Sequence, residues 1–195
     1  MQSVIRWMSV LGMMTALGGG VTLSCAASET ADTASADIVN GAWQHHKVTF
    51  GYFGFTSLYT CDGLEDQVRQ ILLHIGARKD AKVTTSGCPG RVGVPTHSAW
   101  VDVDFYALAP VAAAGGSDTV KARWTSLEVR PRGPHFLGEG SCELIREMKD
   151  LITQNFSLRD VDYRTSCFPN ELTLDEFAIK GQALRALSLN STSSG

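Results

Sequence analysis

Alternating and helical hydrophobic patterns follow one another in an order that predicts the elements of this chain. From His46 to Phe55 the residues are β-branched, aromatic or glycine, with Val48, Phe50 and Tyr52 on one side of an extended backbone and Thr49, Gly51 and Phe53 on the other. This predicts a first strand. Leu64, Val68, Ile71, Leu72 and Ile75 then recur at helical spacing, with Asp62 and Glu65 placed as a capping pair and Gly76 as the stop. A short strand over Asp80 to Gly87 leads to Cys88, and Trp100 to Leu108 alternates again. There Val101, Val103, Phe105 and Ala107 form a buried face, and Trp100, Asp102, Asp104 and Tyr106 a wet one. A glycine-containing connection over 109–118 is expected to return the chain into a strand from Thr119 to Arg130, setting Lys121 and Arg123 opposite Asp102 and Asp104 as cross-strand ion pairs. Ser141 is the expected cap of a second helix whose buried side carries Ile145, Met148, Leu151, Ile152 and Phe156. Arg159 to Ser166 reads as a strand ending at Cys167, and Leu172 to Ala183 as the last extended element.

The two halves share a plan of strand, helix, strand, strand. Cys61 and Cys88 are 27 residues apart, Cys142 and Cys167 are 25 apart, each pair brackets a helix and a strand, and a proline follows each closing cysteine closely. The fold class expected is α+β: two βαββ repeats forming one mostly antiparallel sheet with two helices on one face, ferredoxin-like in spirit, clipped by two disulfides. Local pairing, Cys61–Cys88 and Cys142–Cys167, follows from the repeat; the crossed pairing of Cys61 with Cys167 and Cys88 with Cys142 stays open, because sequence does not fix connectivity.

Composition places the disulfides in an exported protein. Arg6 followed by an uncharged apolar run, Trp7 to Leu23, and the small residues Ser24 to Ala27 read as a secretory signal over 1–27. Cleavage after Ala26 or Ala27 removes the odd fifth cysteine, Cys25; a lipid anchor on Cys25 is the alternative. Residues 28–42 read as a disordered leader, 43–186 as the α+β domain (repeats 43–110 and 117–186), and 187–195 as a disordered tail. Loss of Arg6 with the signal moves the formal net charge from −3 to −4. No basic stripe for nucleic acid results, and no His or Cys spacing suits a metal, so neither partner nor cofactor of those kinds is expected.

The run from Trp43 to Cys88, through Trp-Gln-His-His-Lys, Gly-Phe-Thr-Ser-Leu-Tyr-Thr-Cys-Asp-Gly-Leu-Glu and Ile-Leu-Leu-His-Ile-Gly-Ala-Arg, resembles a group of small exported proteins of unassigned function from proteobacteria. The resemblance implies export, in a Gram-negative periplasm, and carries no activity or ligand.

Candidate chemistry is sparse. Trp100 and Tyr106, with Tyr52 or Phe53, suggest an aromatic platform for a peptide, glycan or lipid of the envelope or for an envelope protein. Arg130 and Arg132, in the rigid loop to His135, with Arg159 or Arg164, suggest an anion site. His45 or His46 with Asp62 or Asp102 gives the alternative of a small periplasmic hydrolase; His97 and Glu65 are further candidates for acid-base or metal chemistry, and Asp102 with Asp104 is a candidate carboxylate pair. Neither a Gly-x-Ser-x-Gly elbow nor a spare cysteine is present, so a periplasmic or secreted binding module without catalytic activity is the leading expectation, and an envelope component that self-assembles through its sheet edges is the third.

Overall fold

The computed structural model describes residues 38–55, 57–88, 93–111, 119–131, 133, 137, 141–166 and 177–187. The expected signal (1–27), most of the expected leader and tail, Arg132, His135 and Cys167 lie outside them. The elements run β1 (Ile38–Phe53), α1 (Cys61–Ile75), β2 (Lys82–Ser86), β3 (Ser98–Pro110), β4 (Thr119–Val129), α2 (Cys142–Asn155), β5 (Leu158–Thr165) and β6 (Phe177–Ala186). The six strands form one antiparallel sheet in the order β2-β3-β1-β4-β6-β5. Strand, helix, strand, strand thus occurs twice, and in each half the first strand lies innermost, the third beside it and the second at the edge.

The strands differ from the sequence expectation in two respects. β1 starts at Ile38, so residues 38–42 of the expected leader are strand, paired with β4 from Ile38↔Arg123 to Ala42↔Thr119. Asn40-Gly41 has the composition of a tether, but Gly41 is buried because a Cβ there would lie 3.2 Å from Leu108 Cδ2 and 3.3 Å from Ala122 Cβ. A residue without a side chain is what lets these strands close. Second, β3 and β4 do not form a hairpin pair, since β1 lies between them.

One side of the sheet carries the core. Tyr52, Ala99, Val101, Val103, Phe105 and Ala107, with Leu127, Val129, Phe177, Ile179 and Ala183, join the apolar faces of both helices in a single cluster. Period-2 alternation in the strands and period-3.6 spacing in the helices supply the matching surfaces. Thr60, not Asp62, caps α1, its hydroxyl accepting from Gly63 N at 3.1 Å. Gly76 ends that helix at φ 132°, a conformation costly for any other residue. Ser141 stands at the α2 cap position without a side-chain cap bond; its hydroxyl is engaged with Tyr59.

Each helix is also fastened to the other half. The half-buried Arg185 of β6 donates to the last carbonyls of α1, His74 O and Ile75 O, while His74 Nε2 lies 3.0 Å from Glu128 O of β4. In return Glu143, buried in the first turn of α2, accepts from Phe55 N at 2.9 Å and Ser57 N at 3.3 Å in the turn after β1. Cationic groups at a helix C-terminus and an anionic one in a first turn both suit the helix dipole.

The Cys61–Cys88 disulfide joins the start of α1 to the end of β2, with the Cα atoms 6.4 Å apart. Cys142 is disulfide-bonded too, and its expected partner Cys167 is outside the described residues.

At the far edge, β5 is broken by a bulge between Arg159 and Asp162, with Asp160 at φ 54°. Gly181 of β6 faces it so closely that a Cβ would lie 2.9 Å from Arg159 O and 3.3 Å from Asp160 O. Gly181→Ala is therefore expected to push β5 off the sheet at a cost of roughly 1–3 kcal/mol. Thermal unfolding together with amide exchange over Leu158–Thr165 checks this, and an unchanged β5 exchange rate would count against it.

Candidate functional site

The sheet face opposite the helices is open, and strand register orders it into rows. Ser86, Trp100 and Gly51 form one row across β2, β3 and β1; Thr84, Asp102 and Thr49 the next; Lys82, Asp104 and Lys47 the third; Tyr106 and His45 the fourth. Directly opposite residues share a face, so alternation alone places all of them together.

In the third and fourth rows Asp104, Lys47, His45 and Tyr106 are tied down. Asp104 Oδ1 lies 2.7 Å from His45 Nε2 and its Oδ2 lies 3.3 Å from Lys47 Nζ. The hydrogen bond from His45 and then Lys47 hold the Asp104 carboxyl below the usual carboxylate range. His45 stacks on Tyr106 with ring centroids 4.8 Å apart, and the Arg78 guanidinium covers the Tyr106 ring at 3.7 Å. Arg78 in turn is paired with Asp80 at 2.7 Å, which raises the guanidinium and lowers the carboxyl. In the second row Thr49 Oγ1 donates to Asp102 Oδ1 at 2.5 Å. Lys82 and Thr84 make no side-chain hydrogen bond among the described residues. Lys47, Thr49, Lys82, Thr84, Asp102 and Asp104 line a shallow depression of about 400 Å³.

At the first row the face is apolar. Trp100 is 55% exposed and Phe53 50%. A Cβ on Gly51 would lie 2.8 Å from Phe53 Cε2 and 3.4 Å from Trp100 Cζ3, so both rings lean over the bare main chain there. At the opposite end Leu108, Ala122 and Leu184 form a small second cluster with Val39, Trp43, Val120 and Trp124, and Arg159 lies 4.5 Å over the Trp124 ring.

The expected platform is thus only partly assembled. Trp100 sits with Phe53, and Tyr106 stands six residues further along β3, roughly 20 Å away, between Arg78 and His45. Tyr52 belongs to the other face and is wholly buried, its hydroxyl donating to Ser57 O; burial pushes its phenol up. The expected ion pairs of Asp102 and Asp104 with Lys121 and Arg123 do not form, because β1 occupies the place beside β3. Lys121 instead donates to Asn40 Oδ1 at 2.9 Å. Of the anion-site arginines, Arg130 pairs with Glu128 at 3.2 Å and Arg164 with Asp162 at 2.8 Å. These arginines are engaged with local acids or, for Arg159, with a ring.

The histidines separate as adjacent strand residues must. His45 is on the open face and its acid partner is Asp104, neither Asp62 nor Asp102. His46 points into the helix side, stacked on Phe105 at 5.3 Å and hydrogen-bonded by Asn155. His97 Nδ1 lies 3.2 Å from Gly54 O at a strand junction. Glu65 accepts from Thr85 N and Oγ1 at 2.7 and 2.8 Å, and Arg69 donates to Ala81 O at 3.2 Å, so α1 covers backbone groups along the β2 edge. Among the described residues no three His, Cys, Asp or Glu side chains converge to hold a metal ion.

Burial lowers the His46 imidazole from its ordinary 6.5, outweighing the bond that His46 donates to Asn155, which acts the other way. The unfolded chain therefore binds the proton more readily than the native one, and stability falls as pH drops below 6.5. Asp104 and Asp80 act in a separate, lower window, since their folded values lie below 3.8. Urea midpoints measured on either side of 6.5 are expected to differ in the wild type and to converge in His46→Gln; equal pH dependence in the two proteins would refute this assignment.

No family model, curated protein or solved structure matches this chain. No helix among the described residues is long and apolar enough to cross a membrane.

Proposed function

We propose that the protein is an exported, non-catalytic binding module of the cell envelope that holds its partner on the open face of the sheet. The observation that carries this reading is the adjacency of two exposed aromatic rings, Trp100 and Phe53, to a polar depression on a face that neither helix covers. Exposed apolar surface rimmed by polar groups is the usual signature of a binding site. The disulfide suits an oxidising compartment, and the amino-terminal run 1–27 supplies the expected signal; we place the protein in the periplasm or outside the cell. The repeated element order supports reading the halves as two copies of one βαββ unit, with Cys142 paired to Cys167 as Cys61 is to Cys88.

The hydrolase reading rests on the His45–Asp104 pair. Against it, both Asp104 oxygens are engaged, the pair is solvent-exposed, and no hydroxyl or thiol is hydrogen-bonded to the His45 imidazole among the described residues. Nucleophilic catalysis needs such a partner. Edge-to-edge assembly is opposed by the side chains that cover β2 and by the bulge in β5.

The test is an NMR titration of the isotope-labelled full chain with solubilised envelope fractions. Shifts should concentrate at Phe53, Thr84, Trp100 and Asp102. Shifts confined to α1 and α2, or esterase, glycosidase or peptidase activity abolished by His45→Ala, would overturn the reading. Intact mass with a non-reducing peptide map tests signal removal and the Cys142–Cys167 bond in the same preparation.

A further inference from the structure

Resting on the open-face reading above, we infer that the first three rows of that face form a site for a neutral oligosaccharide chain, with Trp100 as its stacking surface and Asp102, Thr84 and Lys82 as its hydroxyl-binding groups. Three features of the face converge on this ligand.

The indole of Trp100 stands between the smallest side chains of the face. Gly51 and Ser86 are its cross-strand neighbours on β1 and β2. Gly87 leaves further room, since a Cβ there would lie 3.7 Å from Trp100 Cδ1. No large side chain across the sheet therefore covers the ring, and Phe53 lies next to it over Gly51. Flat aromatic area at low entropic cost is what the apolar C–H face of a sugar ring meets.

The polar groups that follow Trp100 along the same face are those that read hydroxyls. Asp102 is bonded by Thr49 through Oδ1, which leaves its second oxygen available. Thr84 and Lys82, on the neighbouring strand, have no hydrogen-bonding partner among the described residues. A carboxylate oxygen, a hydroxyl and an ammonium offer both acceptors and donors within one span, and hydrogen bonds to charged groups are the stronger kind. From Trp100 to Asp104 the span is roughly 13 Å along β3, room for about two or three sugar rings.

Charge selects a neutral chain. The depression carries two lysines and two aspartates, Lys47, Lys82, Asp102 and Asp104, so its formal charge cancels. A polyanionic chain would meet both carboxylates and a cationic peptide both ammoniums. An extended peptide docking by strand addition would need a free edge, and on the β2 edge beside this site Thr85 N is taken by Glu65 of α1.

The experiment is calorimetric titration of the full disulfide-bonded chain with tetrasaccharides of glucose, galactose, mannose and N-acetylglucosamine, with a sulfated tetrasaccharide and an extended mixed-sequence peptide as the other arms. At least one neutral tetrasaccharide should bind, with an affinity insensitive to salt. Trp100→Ala should weaken it at least about tenfold and Asp102→Asn by about threefold to tenfold. Both residues are exposed, and unchanged thermal unfolding of the variants confirms that the fold is retained. Failure of every neutral tetrasaccharide, or binding unaffected by Trp100→Ala, overturns the inference. If the peptide or the sulfated sugar binds instead and Trp100→Ala abolishes that binding, the ligand class is wrong while the open-face reading stands. If no arm binds and the envelope titration leaves the face unshifted, both fall.

Discussion

Replacing Cys61 and Cys88 together by alanine is expected to remove about 3.5 kcal/mol of stability, the chain-entropy value for a bond closing a 27-residue separation. The effect is large because of where the bond lies. β2 is a five-residue edge strand paired on one side only, with β3. It is tied to α1, the helix whose first residue the disulfide anchors, by the two hydrogen bonds that Glu65 accepts from Thr85 and, just before the strand, by the bond that Arg69 donates to Ala81 O, while Val83 packs against the core. Without the bond the unfolded ensemble gains the freedom of the whole α1–β2 segment, and the native edge frays first. Thermal unfolding of the oxidised double variant should fall by roughly 10 °C for a domain of this size. A fall of only a degree or two would mean that packing of α1 against the sheet holds β2 by itself.

The second large effect is at Glu143. Its carboxylate accepts from the amides of Phe55 and Ser57, which lie 88 and 86 residues away in sequence, and its side chain is 2% exposed. Glu143→Ala leaves two part-buried N–H groups without their acceptor and opens a void at the α2 start. Each lost bond to a charged acceptor contributes about 1.5–3 kcal/mol, and the two share one carboxylate oxygen, so a total of roughly 2–4 kcal/mol is expected. Glu143→Gln keeps an amide oxygen in the same place and should recover a substantial part of that loss. Denaturant unfolding of the three proteins decides it. An alanine variant as stable as wild type would show that Phe55 and Ser57 are held by other contacts, such as the bond from Tyr52 to Ser57 O.

Much of this architecture was legible in the residue pattern, because its signals are local. Alternation in Trp100–Leu108 gave both faces of β3, and the spacing of Leu64 to Ile75 and Ile145 to Phe156 gave both helices and their buried sides. The same alternation placed Tyr52 with Val48 and Phe50, and the structure keeps it there; grouping it with Trp100 in a platform ignored its own parity. Strand neighbours were harder to read. A connection of ordinary length between β3 and β4 suggested a hairpin, but the sheet interposes β1, so Asp104 found His45 and Lys47 in place of Arg123. Nothing local marks that choice. Glu143 carries no signal either, since a lone acid in a first helical turn usually faces water, and its partners are backbone amides nearly ninety residues upstream. The start of β1 was missed for a related reason: Asn40-Gly41 looks like a tether unless one knows that Leu108 and Ala122 must close over it.

The position of β6 has a consequence for how the chain is made. It is the last of the described strands in sequence, yet it lies inside the sheet, between β4 and β5, and its Arg185 closes the carbonyl end of α1. A chain emerging amino-terminus first can pair β1, β2 and β3 as they appear. β4 has only the short match with residues 38–42, and β5 has no strand to lie against, until Phe177–Ala186 is delivered. The second half thus completes its strand pairing only when nearly all of the described polypeptide has been made.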